Sequence, residues 1–281
     1  MASFSDILFY LLQALTASLL QLLILPGPLI LLAFFLHHIS RQVERQSVKL
    51  MGVRGYLIAF GWLGTAVHEI GHAIFCLLFG HKITGMKLFS PDKHSGSMGY
   101  VNHSYNPKNL YHQIGNFFIG IGPVILGSAL LYAMVWILTG TKITQMTQMA
   151  FVPENLESLS DMFIVFHHMW DDLTDLLPLL LDAMSRQWWK TLIVLYILFA
   201  SGSALALSKS DISGAASGLK YIFVLLLIFN LIFLWAGDFT GMLVSQVATF
   251  LSGIYLLMFM SVLINGIFLL ILFVLTRLLA R

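Results

Sequence analysis

Residues 56–80 read YLIAFGWLGTAVHEIGHAIFCLLFG, and within this apolar run stands His68-Glu69-Ile70-Gly71-His72. About 20 predominantly apolar residues suffice for a helix to cross a bilayer, so the run predicts a transmembrane helix with two imidazoles and a carboxyl inside it. Ionisable groups are costly in hydrocarbon and mark functional positions where they occur. At 100° per residue His68 and His72 lie about 40° apart and one turn along the helix, so both rings reach one metal ion. Glu69 stands beside them, able to hold and deprotonate a water at that ion, which is the chemistry of metal-assisted hydrolysis. With 10 His in 281 residues, chance produces the H-E-x-x-H pattern roughly 0.005 times in such a chain.

Working outward, the composition agrees with a membrane setting. Hydrophobic residues make up 58% of the chain and charged residues 10%, against about a quarter charged in soluble domains. A formal net charge of +2, spread over several connections, offers no basic patch for nucleic acid. The single Cys76 excludes a disulfide framework and a multi-cysteine zinc site.

Five further apolar segments flank the motif. Ile7 to Leu36 is interrupted by Pro26-Gly27-Pro28, which must kink or break it; it reads as a span and not as a secretory signal, having no Lys or Arg before Arg41. Ile114 to Leu138, Thr191 to Leu207 and Tyr221 to Trp235 follow, and Met242 to Ala280 reads as one long helix. Between them, residues 82–105 hold two short runs around Ser90-Pro91-Asp92 and Ser95-Gly96-Ser97, the pattern of a β-hairpin. Residues 140–188 carry Glu154, Glu157, Asp161, Asp171, Asp172, Asp175 and Asp182 among Leu, Met and Trp, the pattern of an amphipathic surface segment.

The expected fold is an all-α integral membrane protein, a polytopic bundle of about six transmembrane helices with a small membrane-associated β-hairpin after the second. It divides into an N-terminal kinked helix and basic connection (1–55), a core (56–220) and C-terminal helices (221–281). Lys and Arg flank the second span almost equally, so the positive-inside rule decides little; residues 81–112 and the turn 208–220 are assigned to the cytoplasmic side.

A catalytic zinc takes three protein ligands and keeps one position open. The extension H-E-x-x-H-x-x-G-x-x-H fails here, since Phe75 and Leu78 stand where Gly and His belong. Glu154 and Glu157 fall at the far end of the third helix. Asp211 fits better, because the fourth span runs parallel to the second and ends on the same side. Small residues let membrane helices approach closely: Gly61, Gly64 and Thr65 share the face of the His pair, Asn116, Gly120, Pro123 and Gly127 form a stripe on the third span, and Ser201, Ala204, Ser208 and Asp211 on the fourth. These predict a three-helix core closed around the metal. Asn116 reads either as packing or as a group orienting substrate. His37, His38, His167 and His168 read as interfacial rings, and His81, His94, His103 and His112 as solvated residues of the hairpin region, with gating or a second metal as their other reading.

His68-Glu69-Ile70-Gly71-His72 in a hydrophobic helix, Gly122-Pro123 in the next span and an Asp after a third core helix together resemble the site-2 protease type of intramembrane zinc metallopeptidase, over roughly residues 56–220. The resemblance implies that His68, His72 and Asp211 bind one Zn2+, that Glu69 is the catalytic base, that the hairpin falls on 82–105, and that the site faces the cytoplasm of what reads as a bacterial membrane. Ile212 follows Asp211 where the better-known members carry Gly, which marks a divergent branch. The implied function is zinc-dependent endoproteolysis of a membrane-anchored protein, with the lipid bilayer as the other partner. The other reading is a non-hydrolytic metal-binding membrane protein, a transporter or a degenerate protease acting as a binding partner. A transporter usually carries ionisable groups along several spans, and the first, fifth and sixth carry almost none.

Overall fold

Helix boundaries in this chain are set by a few residues whose backbone chemistry leaves little choice. A computed structural model describes residues 3–91, 98–140, 160–202, 205–235 and 237–279. Helix α1 (Phe4–Ile24) stops short of Pro26-Gly27-Pro28, and α2 (Gly27–Tyr56) restarts there with Pro28 in its first turn, where a missing N–H costs nothing. Gly52, at φ 72° and ψ 167°, interrupts α2 with a backbone that L side chains rarely adopt. A π-helical turn, Leu57–Gly61, leads into α3 (Trp62–Leu78).

Gly80 ends α3 at φ 70°. The Gly80 N–H donates to the Leu77 carbonyl at 3.2 Å and the His81 N–H to the Cys76 carbonyl at 2.8 Å, the two bonds of a Schellman cap. The chain then enters the expected hairpin. Strand β1 (Lys82–Lys87) pairs antiparallel with β2 (Tyr100–Ser104), Ile83 opposite His103 and Lys87 opposite Tyr100, with an irregularity between Ile83 and Gly85. Helix α4 (Leu110–Thr139) is capped by the Asn109 side chain, which accepts from the Tyr111 N–H at 2.9 Å.

After α4 come α5 (Ser160–Arg186), α6 (Trp188–Gly202), α7 (Lys209–Phe233) and α8 (Gly237–Leu279). The described part of the acidic segment is thus the amphipathic helix α5, and the last apolar stretch is a single helix of 43 residues. Four segments, Phe4–Leu78, Leu110–Thr139, Lys209–Phe233 and Leu251–Leu279, are long and apolar enough to cross a membrane.

Two expectations change. The fourth apolar segment supplies only the 15 residues of α6, about 22 Å of helix against a hydrocarbon core of about 30 Å. The fifth starts at Lys209 and not near Tyr221, so Asp211 belongs to α7 and residue 220 lies inside that helix. The three-helix core is accordingly α3, α4 and α7, with α4 in the middle. A leucine-rich cluster lies beside it, joining Leu32 and Leu36 of α2 to Val124 and Leu131 of α4 and to Leu256 and Met258 of α8.

Candidate metal centre

The core helices meet backbone to backbone. A Cβ on Gly71 would stand 2.6 Å from Pro123 Cα, and one on Gly122 would stand 2.7 Å from the Gly71 carbonyl oxygen. Glycine at these positions is therefore a condition of the α3–α4 contact. On the other side of α4, a Cβ on Gly120 would meet the Asp211 carbonyl oxygen at 2.6 Å, and Gly218 lies against the backbone of Phe117. The small-residue stripe of α4 thus brings α3 and α7 to one depth along α4. Of the stripe expected on the fourth helix, Ser208 is instead the N-cap of α7, Ala204 lies outside the described residues, and so does the side chain of Ser201.

Asp211 is the third residue of α7. Its backbone N–H donates to Ser208 Oγ at 3.2 Å, and its Oδ2 accepts from the Ser208 N–H at 2.6 Å, the reciprocal pattern of a capping box. The Ser208-x-x-Asp211 spacing is the sequence signal for this helix start. Asp6 accepts from the Ser3 N–H in the same way at the head of α1, but Asp211 does something further. Its Oδ1 lies 3.2 Å from His72 Nε2 and its Oδ2 3.4 Å from His68 Nε2.

His72 Nδ1 donates to the Ile119 carbonyl at 2.8 Å. A carbonyl only accepts, so Nε2 keeps the lone pair, the arrangement in which a neutral imidazole ligates a metal. The two Nε2 atoms are 3.1 Å apart. The Asp211 carboxylate turns one oxygen toward each ring, and one ligand atom from each of the three residues lies within 4.8 Å of the others. Bonds of 2.0–2.1 Å in a tetrahedron give edges of about 3.3 Å. His68, His72 and Asp211 could hold a metal ion: the separation of the two Nε2 atoms, and of each from one carboxylate oxygen, is close to that edge, and a tetrahedral ion bound by one atom of each residue would keep a fourth position open.

The three residues border a cavity of about 620 Å³. Glu69 and Asn116 line it with the three prospective ligands, and both are buried. All five residues singled out in the sequence are thus in one place. Asn116 Nδ2 lies 3.5 Å from Gln113 Oε1, a long contact that leaves the amide able to turn toward the cavity. Strand β2 forms the opposite wall with Tyr100 to His103. It is held close to α3 at Gly99, where a Cβ would lie 2.9 Å from Glu69 Cγ. A smaller cavity of about 230 Å³ reaches Glu69 and His68 from the side of α2, between Arg41 and Glu44.

Other histidines divide. His38 Nδ1 donates to the Phe34 carbonyl at 2.9 Å, His37 borders the smaller cavity, and His167 is exposed, 3.6 Å from Asp171. His81 is not a solvated loop residue. It is 3% exposed, with Nδ1 3.0 Å from His103 Nδ1. His103 in turn lines the larger cavity, a placement that follows from the strand register and has no motif in the sequence. Glu154, Glu157 and His94 lie outside the described residues.

Comparison of the chain with protein-family models, with curated proteins and with solved structures finds no match in any of the three.

Proposed function

We propose that the chain is an intramembrane zinc-dependent endopeptidase of the site-2 protease type, cutting a peptide bond within or near a transmembrane segment of a membrane-anchored protein. One observation carries the proposal: the Nε2 atoms of His68 and His72 lie 3.1 Å apart, each within 3.4 Å of an Asp211 carboxylate oxygen, while Glu69 lines the same cavity. Two imidazoles, one carboxylate and an open fourth position are the donor set of a hydrolytic zinc. Integral insertion is supported by the four long apolar segments, and the cytoplasmic side of the bilayer is the side we assign to the site.

A bound zinc supplies a Lewis acid that polarises the scissile carbonyl and acidifies a water. Glu69 takes a proton from the attacking water and returns it to the departing nitrogen. Asp211 is held by its own helix cap, so its carboxylate meets the histidines without the entropy of a free side chain. The Ile119 carbonyl fixes the His72 tautomer. A peptide bond inside a helix is shielded by its own hydrogen bonds, so the substrate must unwind before it is cut. Strand β2 lines the cavity, and a two-stranded sheet leaves one edge of each strand unpaired, which suits capture of an unwound segment by strand addition.

The test is to measure zinc content together with cleavage of a model transmembrane substrate in liposomes. Wild type should hold one zinc and cleave. Glu69→Gln should keep the zinc and lose at least about 10²-fold in rate, and Asp211→Ala should lose the zinc. Folded wild-type protein that binds no zinc would refute the proposal, and zinc binding in which Glu69→Gln cleaves as well as wild type would remove Glu69 from the chemistry.

A further inference from the structure

Beneath the hairpin, hydrogen-bond directions fix the tautomers of two rings. His81 is the first residue past Gly80, and its ring stacks on Tyr105 with centroids 4.7 Å and planes 15° apart. Its Nε2 lies 2.9 Å from the His112 carbonyl oxygen, an atom that only accepts. A neutral His81 therefore carries its proton on Nε2 and its lone pair on Nδ1. His103 Nδ1 lies 3.0 Å from that lone pair and must donate to it. A neutral His103 consequently keeps its own lone pair on Nε2, in a ring that borders the cavity containing Glu69 and the three prospective ligands.

We infer that His103 Nε2 is a second proton-carrying group of this site, opposite Glu69, and that His81 is the residue that positions it. The inference rests on the hydrolytic reading given above. An acceptor behind Nδ1–H holds the ring in one tautomer, leaves Nε2 free to take a proton, and supports the imidazolium that forms. Here the acceptor is an imidazole, itself anchored to the main chain of α4. The titratable groups that border the cavity or the two rings are His68, Glu69 and His72 from α3, Asp211 from α7, His81 and Tyr105 from the segments flanking the hairpin, and His112 from α4. Burial holds His103 below the ordinary imidazole range, with His81 and His72 acting in the same sense. Burial lowers His81 as well, so both rings are neutral at pH 7.

The proton balance leaves room for two carriers. Peptide hydrolysis at neutral pH breaks the C–N bond and joins the water oxygen to the acyl carbon. The acyl half leaves as a carboxylate, and both water protons end on the departing nitrogen, which leaves as an ammonium. Glu69 carries one proton. His103 takes the other at Nε2 and releases it to the same nitrogen.

The experiment uses the full chain in lipid nanodiscs with 15N-labelled histidine. Ring 15N shifts, metal content and the pH profile of cleavage are measured for wild type, His103→Gln and His81→Phe. We expect a neutral Nδ1–H ring in wild type whose signal vanishes in His103→Gln, with metal retained. Cleavage by His103→Gln should fall about 10²-fold and lose one limb of its pH profile. His81→Phe preserves the stack on Tyr105 but removes the acceptor, so that limb should move while metal content stays constant. An Nε2–H tautomer at His103, or a His103→Gln enzyme with unchanged rate and profile, would overturn the role. Wild type that cleaves nothing would take the protease reading down with it, whereas a fully active His103→Gln takes down this role alone.

Discussion

At the seam of α3, α4 and α7, Gly71, Gly120 and Gly122 sit where a Cβ would enter the backbone of the next helix, whereas along α8 Gly253 and Gly266 have nothing within 4 Å. The same residue type, in helices of similar composition, is indispensable in one region and free in the other. The α2–α8 side is built from Leu, Met and Val side chains interlocking in the leucine-rich cluster. Such cores tolerate exchange as long as volume is preserved. A metal centre needs ligand atoms held within a few tenths of an ångström, and contact between backbones gives that precision because no rotamer can relax it. The molecule thus keeps its stiff packing around the prospective metal ligands and leaves the rest adaptable.

The largest expected effect lies at Gly71. Gly71→Ala places a methyl 2.6 Å from Pro123 Cα, so the helices must separate, at a cost of about 3 kcal/mol or more. His72 would move off the Ile119 carbonyl, and zinc should be lost in parallel with stability. Zinc titration and thermal unfolding in detergent check both. Full zinc affinity in Gly71→Ala would break the comparison at its strongest point.

On the adaptable side one position is expected to be sensitive to pH. Asp172 of α5 is buried with Oδ2 unpaired. Burial first, then the charges of Asp175 and Asp171, push its carboxyl up from 3.8 to about 6. Between these values the folded chain holds a proton that the unfolded chain releases, so stability falls as pH rises from about 4 to 6 and remains lower above. Asp172→Asn should therefore raise the unfolding temperature at pH 7 and leave it unchanged below pH 4. Unfolding scans across that range test the sign, and equal curves for the two proteins would show that α5 carries no such penalty.

How much of this was legible in the sequence differs between the same two regions. His68, Glu69 and His72 follow from helical spacing alone, and the hairpin from two short runs around turn residues, because both depend on neighbours in the chain. Asp211 is expected on the side of the His pair from a count of reversals that treats 191–207 as a full crossing, whereas α6 has only 15 residues. Assigning it to α7 needs the Ser208 cap, since apolar composition continues through 191–207 and hides the end of α6. His81 and His103 meet through a strand register and a helix cap 22 positions apart, and no local pattern encodes such a contact.

Polar bonding outside the seam offers a smaller test. Asn230 of α7 donates to Ser18 Oγ at 2.8 Å and to Gln21 Oε1 at 2.9 Å, and accepts from Gln21 Nε2 at 3.3 Å. All three side chains are buried, so α1 is joined to α7 by a closed set of hydrogen bonds. Such bonds between membrane helices average about 0.6 kcal/mol and reach about 1.7. Asn230→Leu should cost that much in unfolding free energy while leaving zinc content and cleavage intact. Loss of zinc would show that α1 helps to hold α7 in place and would extend the stiff region beyond the seam.

The smallest effect has the opposite sign. Gly253 and Gly266 lie inside the 43-residue helix α8, where each glycine costs about 0.5–1 kcal/mol relative to Ala through backbone entropy. A methyl at either position meets nothing within 4 Å, so no packing term offsets the gain. Gly253→Ala and Gly266→Ala should each stabilise the protein slightly, and the double substitution should add the two increments, since the residues are 13 positions, or about 20 Å of helix, apart. Zinc affinity and cleavage should stay at the wild-type level. If either substitution instead weakened zinc binding, α8 would have to flex at that glycine for the site to work, and the division between a stiff seam and a free scaffold would fall at the position where it is drawn most sharply.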